Sequence, residues 1–456
     1  MQRFHRTYFP HPGCVLENVA LTRGSTPSDT LLVAIQKVTI AANYHDLLLR
    51  PGYVSTITLE GLKISIPMEK PQDQPKPQQA SNSVNSSVRL GEVFTKDALL
   101  EIAQDGDAPL RFEIHRLTLK SITDSGPMTY DLAMRNAQPL GEIRANGKLG
   151  PLNTQHLDGI PLSGSYTFDQ ADLGVFKGIA GTLSAKGEFH GVLGKIETQG
   201  TTDTPNFEVT HSKHPVPLKT KFSATVDGTG GDTILHSVDV SFLRTTAHVE
   251  GSVAGKHGQP GKTATLNITV RDGHVDDVLR LFVKESKPPM QGAINFHTHV
   301  VWASGNHPFI KKVALQGEFD IAHAQWENAE RQTRLNELSK RASGKKKEEP
   351  TESVTADIKG AATMTGGIAK LSDVSFKIPG AEVTAHGTYN LEDTKVDFHG
   401  DLKTVASISN ETTGVKAVLL KPLDPLFKRK HAGAVVPVAA TGTYANPQFG
   451  MTLPVK

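Results

Sequence analysis

Cysteine, long apolar runs and an excess of charge of one sign are all scarce in this chain. Cys14 is the one cysteine among 456 residues, so no disulfide forms within the chain and no multi-cysteine metal site is available. Lysine and arginine number 49 and aspartate and glutamate 47, which gives a formal net charge of +2. Proteins that bind nucleic acid usually carry a clear basic excess, so this balance argues against a nucleic-acid partner.

Membrane-spanning and targeting signals are also missing from the printed sequence. A helix that crosses a bilayer needs about 18 or more consecutive apolar residues, and no such run occurs. Residues Met1–Pro10 contain Arg3 and Arg6, but no apolar stretch follows them. We therefore predict neither a signal peptide nor a transmembrane helix within these residues.

What the chain does contain is a large number of short segments in which apolar and polar residues alternate. Such alternation, with turn residues between the segments, is typical of strands that are apolar on one face. The 41 glycines and 27 prolines fit many turns better than long helices. We predict a mainly β protein built from elongated, curved antiparallel sheets in a repeating groove-like arrangement, with a few short helices. The candidate groove-facing residues are Val238, Val240, Phe242, Val374, Phe376 and Ile378.

Two segments change the parity of their apolar residues partway along. The change occurs at Gly61, and again between Ile114 and Leu117. One extra residue in a strand restores the same facing, so both positions predict β-bulges and a strongly curved sheet.

Internal similarity predicts a repeated meander. The first matching pair of triplets is Leu235, Val238 and Gly251 against Leu371, Val374 and Gly387. A second match relates Gly200, Pro205 and Phe207 to Gly442, Pro447 and Phe449.

The coarse organisation follows from composition and periodicity, which also predict helices over Tyr44–Leu49 and Trp326–Arg341. We divide the chain into an N-terminal β segment (1–66), a flexible linker or loop (67–88), a central β repeat region with a short helix near 275–284 (89–321), a helix with a charged loop (322–349) and a C-terminal β region with a helix near 413–430 (350–456).

Motifs that would carry chemistry are weak. The string GKHGQPGKT, from Gly255 to Thr263, is one residue too long for a phosphate-binding loop and precedes a strand-like segment, so we interpret it as a hairpin. The pairs His211/His214 and His297/His299 have no evident third metal ligand. Asp276 and Asp277 suit the first turn of a helix. We predict no catalytic residue, no metal and no cofactor.

Several strings together resemble the AsmA-like family, especially its acidobacterial-type members. They are YFPHPGCVLENVALTRG and STITLEGLKISIP near the start, DGHVDDVLRLFVK in the middle, and LSDVSFKIPGAEVTAHGTYNLEDTKVDFHGDL with TGTYANPQFG near the end. The resemblance implies a periplasmic β-groove protein held at the inner membrane by an N-terminal helix, which supports lipid movement or outer-membrane biogenesis. This sequence departs from that pattern because it lacks the helix, so we expect that its start is misassigned or that it is a fragment.

Three functions are weighed on these grounds. The first is a non-enzymatic envelope protein whose apolar groove binds or conveys phospholipid or another acyl lipid. The second is a passive structural or interaction scaffold built from the same sheets. The third is a hydrolase of envelope polysaccharide, for which the sequence supplies no defined pair of carboxylates.

Overall fold

The protein is described here by a computed structural model. It describes residues 2–22, 31–50, 53–66, 89–103, 108–122, 126–152, 157–255, 261–284, 286–305, 307–343, 353–404, 435–443 and 446–451. The predicted linker at 67–88 and the predicted helix near 413–430 lie outside these residues. Strands account for 70% of the structure and helices for 10%, which confirms the mainly β prediction.

Twenty-five strands follow one another among the residues that the structure describes. The first half comprises β1 (Arg3–Thr7), β2 (Gly13–Thr22), β3 (Leu31–Ala41), β4 (Tyr53–Glu60), β5 (Lys63–Ile66), β6 (Arg89–Ile102), β7 (Leu110–Ile122), β8 (Met128–Asn136), β9 (Gly141–Leu149), β10 (Pro161–Asp172), β11 (Ile179–Ala180), β12 (Thr182–Val192) and β13 (Lys195–Val209). The second half comprises β14 (Val216–Val226), β15 (Thr233–Phe242), β16 (Thr245–Gly255), β17 (Lys262–His274), β18 (Met290–Trp302), β19 (Val313–Trp326), β20 (Ala356–Thr365), β21 (Ile368–Ile378), β22 (Ala381–Asn390), β23 (Lys395–Thr404), β24 (Val435–Thr443) and β25 (Pro447–Met451).

Four α-helices interrupt this series among the described residues. They are α1 (Tyr44–Leu49), α2 (Val275–Phe282), α3 (Phe309–Lys312) and α4 (Ala329–Ala342). None of them is both long enough and apolar enough to cross a membrane. The prediction for α1 is confirmed, whereas α4 begins three residues later than predicted. Trp326 still belongs to β19, and the Asn328 side chain accepts a hydrogen bond from the Arg331 backbone N–H at 3.0 Å, which fixes the helix start after it.

The strands join into one sheet that is almost wholly an antiparallel meander. Each strand from β6 to β10 and from β12 to β25 pairs with the next strand of the series, β10 pairs with β12, and the two-residue β11 pairs with the end of β13. The exception is β6, which pairs in parallel with β4 and β5. Parallel neighbours need a crossover connection, and residues 67–88 supply it. Strand pairing therefore joins the N-terminal, central and C-terminal β segments, which the sequence analysis divided, into one sheet.

The two faces of the sheet differ sharply in chemistry. On one face, a row of directly opposed residues runs from β1 to β25 and takes one residue from every strand except β5 and β11. We call it the apolar row, because it contains no charged residue. Its members in order are Phe4, Leu16, Val38, Leu59, Thr95, Leu117, Leu132, Ala145, Tyr166, Gly187, Gly200, Phe222, Val238, Val249, Ile268, Thr298, Gly317, Ala362, Leu371, Gly387, Phe398, Ala440 and Phe449.

The opposite face carries the charges. Beside the first part of the apolar row, consecutive strands place Arg3, Glu17, Lys37 and Glu60 directly opposite one another. Lys37 and Glu60 form an ion pair at 2.9 Å, and Arg3 and Glu17 approach to 3.7 Å. Opposite charges on neighbouring strands support that register in addition to the turns between them.

The sheet curves toward its apolar face. Several threonines differ in exposure between the faces: Thr198, Thr202 and Thr220 on the apolar face are half-buried, whereas Thr167 and Thr201 on the charged face are exposed. The difference is not uniform, since Thr269 on the charged face is also half-buried. All strands belong to one sheet, so within the described ranges no second sheet covers the apolar face, and we attribute its greater burial to curvature of the sheet. The concave apolar face is hereafter called the groove.

Coiling brings opposite rims of the sheet together in the middle of the chain. Gly178, beside β11, lies at one rim, and Phe309, the first residue of α3, lies at the other. A Cβ atom added to Gly178 would lie 2.2 Å from Cδ2 of Phe309, and the backbone of Gly178 has a φ of +119°. Phe309 also packs edge-on against Trp302, with ring centroids 5.2 Å apart. Only a residue without a side chain permits so close an approach.

Two helices fold from one rim onto the groove. The helix α2 follows β17 and α4 follows β19, and their apolar residues join one buried cluster with the apolar side chains of β17 to β23. Val275 of α2 and Ala342 of α4 are each 1% exposed. The two helices therefore cover the groove at this rim.

A buried carboxylate fastens α2 to the sheet. Asp277 is 3% exposed and accepts hydrogen bonds from the Arg244 backbone N–H at 2.9 Å, the Arg244 guanidinium at 2.8 Å and the Thr245 hydroxyl at 3.0 Å. Asp276, the other acid of the helix's first turn, pairs with the same guanidinium. Both acids thus occupy the predicted first turn, but only Asp277 satisfies several buried donors.

We expect Asp277→Ala to lower the free energy of unfolding by about 2–4 kcal/mol, because it leaves the buried Thr245 hydroxyl and the Arg244 backbone N–H without their acceptor. Asp276→Ala is the matched control, and it should cost less than about 1 kcal/mol since its partner is solvated. Urea denaturation followed by circular dichroism measures both variants. Equal losses in the two variants would contradict the assignment of the fastening role to Asp277.

Candidate functional site

The candidate groove residues divide between the uncovered and covered parts of the groove. Val238, Val240 and Val374 lie on the apolar face at half-buried positions, and Val238 belongs to the apolar row. Three others are in closed surroundings. Phe242 is 6% exposed, Ile378 is 7% exposed, and the Phe376 ring packs against Trp326 with centroids 5.9 Å apart. All six residues lie on the same face of the sheet. Phe242, Phe376 and Ile378 are covered by α4 or by the rim of the sheet and are not part of the open surface.

The first predicted repeat is also a repeat in structure. Leu235 opposes Gly251 in the hairpin of β15 and β16, and Leu371 opposes Gly387 in the hairpin of β21 and β22. A bulge follows Leu235 and Leu371 at the same offset, before Val238 and Val374. These two hairpins therefore present the same curved, apolar unit to the groove.

The second predicted repeat is wrong. Gly200 and Phe207 lie on the single strand β13, whereas Gly442 and Phe449 lie on two strands, β24 and β25. A turn between Thr443 and Asn446 separates the second pair. The bulge predicted between Ile114 and Leu117 is confirmed, since the register with β8 shifts between Ile114 and Arg116.

Aromatic rings lie over glycines on the groove floor. At several glycines, a Cβ atom added to the residue would lie between 2.6 and 3.1 Å from a ring or hydroxyl atom of a strand one or two places away in the sheet. Such aromatic–glycine pairs cover exposed backbone and let strands bend. They give the groove a smooth, uncharged floor. The pairs are Tyr130 with Gly164, Tyr166 with Gly187, Phe222 with Gly200, Phe319 with Gly360 and Phe398 with Gly387.

Hydroxyl groups enter the groove floor near its middle. The hydroxyls of Thr202 and Thr220 hydrogen bond to each other across β13 and β14 at 2.8 Å. Thr198 donates to the Glu188 carbonyl oxygen at 3.0 Å and also hydrogen bonds with the Tyr166 phenol. Burial raises the pKa of Tyr166, a shift that this hydrogen bond opposes, and burial raises the pKa of Tyr130 to about 12. The phenols in the groove are therefore neutral hydrogen-bonding groups.

The charged face bears a shallow depression of about 680 Å³ that spans β14 to β17. Lys219, Lys221 and Arg271 line it together with Asp239 and His248. His248 bonds Asp239 at 2.9 Å and Glu250 at 3.2 Å, and these two carboxylates raise the pKa of His248. The depression is thus an ordinary charged surface with internal ion pairs.

The remaining sequence motifs have structural roles. The strands β16 and β17 flank the segment GKHGQPGKT, so Lys262 and Thr263 begin a strand, which confirms the hairpin interpretation. His297 bonds Thr269 at 2.9 Å and His299 bonds Asn267 at 2.8 Å, both across β17 and β18. Within the described ranges, no three histidine, cysteine or acidic residues come close enough together to hold a metal ion.

Cys14 lies in β2, between Arg6 of β1 and Ile40 of β3. Pairing with β1 and β3 begins at Gly13, so Cys14 is the second residue of the strand.

The most extensive chemical feature is therefore the uncharged groove, and sequence reasoning located its face but not its hydroxyl section. The alternation of Thr198, Gly200 and Thr202 with charged and polar residues indicates that they face the groove. Sequence patterns miss this section because threonine and glycine are not counted as apolar residues. Comparison of the chain with protein-family models, curated proteins and solved structures finds no match. The AsmA-like resemblance stays a prediction.

The wild-type protein should lose stability as the pH rises from 10 to 12, and Tyr130→Phe should reduce this loss. The unfolded phenol ionises near pH 10, whereas the folded one ionises at about 12. The stabilising contribution is hence complete below pH 10 and disappears as the pH rises to about 12. Chemical denaturation at pH 9, 10 and 11 measures it, with Tyr8→Phe as the control since Tyr8 is 68% exposed. Identical pH profiles for wild type and Tyr130→Phe would contradict the assignment.

Proposed function

We propose that this protein is a non-enzymatic, AsmA-like envelope protein whose groove binds acyl lipid and conveys it along the sheet in support of outer-membrane biogenesis. The observation that carries the proposal is the apolar row, which extends across the sheet without a charged residue. Sheets that fold on their own normally bury such a face against a second layer. Here curvature and two helices cover part of it, and lipid chains are suited to cover the rest.

Physical magnitudes support a lipid ligand. Each buried CH₂ contributes about 0.8 kcal/mol, so an acyl chain gains substantial free energy without any directional contact. Strands lie about 4.8 Å apart, so the row measures roughly 100 Å along the sheet. That length exceeds the ~30 Å hydrocarbon core of a bilayer, so the groove has room for more than one lipid.

The charged face suits the aqueous side of such a protein. Acidic and basic side chains are interspersed on this face and form ion pairs, and the net charge of the chain is +2. The charged face therefore has no strong excess of one sign that would attract a charged partner. We place the protein in the periplasm, at the inner membrane, as the AsmA-like resemblance implies. An anchor outside the printed residues would provide the membrane contact.

Photo-cross-linking on one strand tests the proposal. A photoreactive residue at Val240 faces the groove, and the same residue at Asp239 faces water. Incubation with vesicles of phosphatidylethanolamine and phosphatidylglycerol should give lipid adducts at Val240 and not at Asp239, as detected by mass spectrometry. A second matched pair is Val374 and Asp373.

The passive-scaffold alternative predicts a different result. If both positions of each pair remain unlabelled while the circular dichroism spectrum stays unchanged, the groove does not bind lipid and the proposal is wrong. Equal labelling at both positions would indicate non-specific vesicle adhesion and would also contradict it.

A further inference from the structure

Exposed large apolar side chains concentrate at the β1 end of the sheet. The four most exposed of them among the described residues are each at least 66% exposed, and all four belong to the turn after β1 or to α1. The other exposed large apolar residues are spread along the chain from Phe4 to Val435. We call the cluster, together with Tyr44 of α1, the β1–α1 patch. Its members are Tyr8, Phe9, Tyr44, Leu48 and Leu49.

Hydrogen bonds hold the turn and the helix side by side, so the β1–α1 patch is one surface. The Tyr44 hydroxyl donates to the Tyr8 carbonyl oxygen, and the Ala42 backbone N–H donates to the Pro12 carbonyl oxygen at 2.9 Å. Within α1, Tyr44 and Leu48 are four residues apart and therefore lie on the same helix face. A contiguous apolar surface that is left open to water is typical of an interaction site.

The exposed charges beside the patch are basic. Arg6 of β1 and Arg50, which follows α1, both have exposed side chains. Asp46 is the acid of α1, but its side chain is only 18% exposed and accepts a hydrogen bond from the Ser55 hydroxyl at 3.3 Å. The patch therefore presents apolar groups and guanidinium groups to the same partner, which suits an anionic partner with an apolar interior.

A bilayer surface fits this combination better than a second copy of the chain. Tyrosine is enriched where proteins meet the headgroup region, because its ring is apolar and its hydroxyl is polar. Apolar side chains beside it enter the boundary between headgroups and acyl chains, and basic side chains approach anionic phosphates. A symmetric contact between two copies would instead bring Arg6 and Arg50 of one copy toward the same two cations of the other.

We propose that the β1–α1 patch docks on the surface of a bilayer that contains anionic phospholipid, with Phe9, Leu48 and Leu49 in the interface and Arg6 at the phosphates. This inference goes beyond the proposed function, since the patch would contact the bilayer whether or not the groove holds lipid. It also gives the groove a position. Phe4, the first member of the apolar row, lies four residues before Tyr8, or roughly 13 Å along a strand, so the groove would open beside the bilayer surface.

Vesicle co-sedimentation of the full 456-residue chain tests the apolar part of the patch. The vesicles contain phosphatidylethanolamine and phosphatidylglycerol. The triple variant Phe9→Ser, Leu48→Ser, Leu49→Ser should bind them at least about tenfold more weakly than wild type, because three apolar side chains no longer leave water on binding.

A matched variant controls for the loss of apolar surface in general. Leu152, Ile234 and Phe282 are each 54% exposed and lie outside the patch. The triple variant Leu152→Ser, Ile234→Ser, Phe282→Ser should bind vesicles like wild type. Circular dichroism of both triple variants should match that of wild type.

The basic part of the patch is tested with vesicles of different charge. Arg6→Gln and Arg50→Gln should each weaken binding to vesicles with phosphatidylglycerol by about fivefold. Neither change should alter binding to vesicles of phosphatidylcholine alone, which carry no net charge. An equal loss on both kinds of vesicle would contradict the contact with anionic phosphate.

The results that overturn the proposal differ from those that overturn the groove. If wild type does not bind the vesicles, or if the patch variant binds them like wild type, the patch is not a membrane site. A wild-type dimer that the patch variant converts to a monomer, measured by light scattering, would assign the patch to a second copy instead. The groove is tested separately, because a photoreactive residue at Val240 can be labelled by a soluble short-chain phosphatidylglycerol without any vesicle. Vesicle binding without such labelling would refute the lipid groove alone.

Discussion

One constraint governs the described part of the chain: its single sheet has an apolar face, and no second sheet among these residues buries that face. Side chains alternate between the faces of a strand, so a register that places Val238 in the groove also places Asp239 in water. The same parity holds along the apolar row from Phe4 to Phe449. Bulges preserve it where a strand would otherwise change sides, as they do after Leu235 and Leu371.

Several local devices reduce the exposure of this face. Curvature half-buries even small residues such as Thr202. Aromatic rings cover glycine backbone, and the contact of Phe309 with Gly178 joins opposite rims. The helices α2 and α4 close one rim, with Asp277 holding α2 to the β15–β16 turn. None of these devices covers the central floor, so the remaining apolar surface is the property from which the proposed lipid function follows.

Hydroxyl groups on that floor add directionality to an otherwise non-directional surface. Hydrophobic contact lets a chain slide, because its free energy depends on area and not on position. A half-buried hydroxyl such as that of Thr202 can form directional hydrogen bonds, which depend on position. The combination of the two is consistent with a groove that holds lipid and can also release it along its length.

Patterns within single strands and hairpins were sufficient to predict much of the local structure. Alternation assigned Val238, Val240 and Val374 to one face, the change of parity near Ile114 located a bulge, and the match of Leu235 with Leu371 located two equivalent hairpins. These features depend on neighbouring residues of one strand or hairpin, so their signal is local. The match of Gly200 with Gly442 failed because similar letters can span one strand or a turn, and pairing alone distinguishes the two.

Pairing between distant segments could not be predicted from such local patterns and is known from the folded chain. The parallel pairing of β4 with β6 across residues 67–88, the meeting of Gly178 with Phe309, and the cover that α4 places over Ile378 all join residues far apart in sequence. The continuity of the apolar row is of the same kind, because a one-residue slip in any strand would turn that strand's apolar side chains to water. Alternation states which residues share a face of one strand, and the register between strands makes those faces a groove.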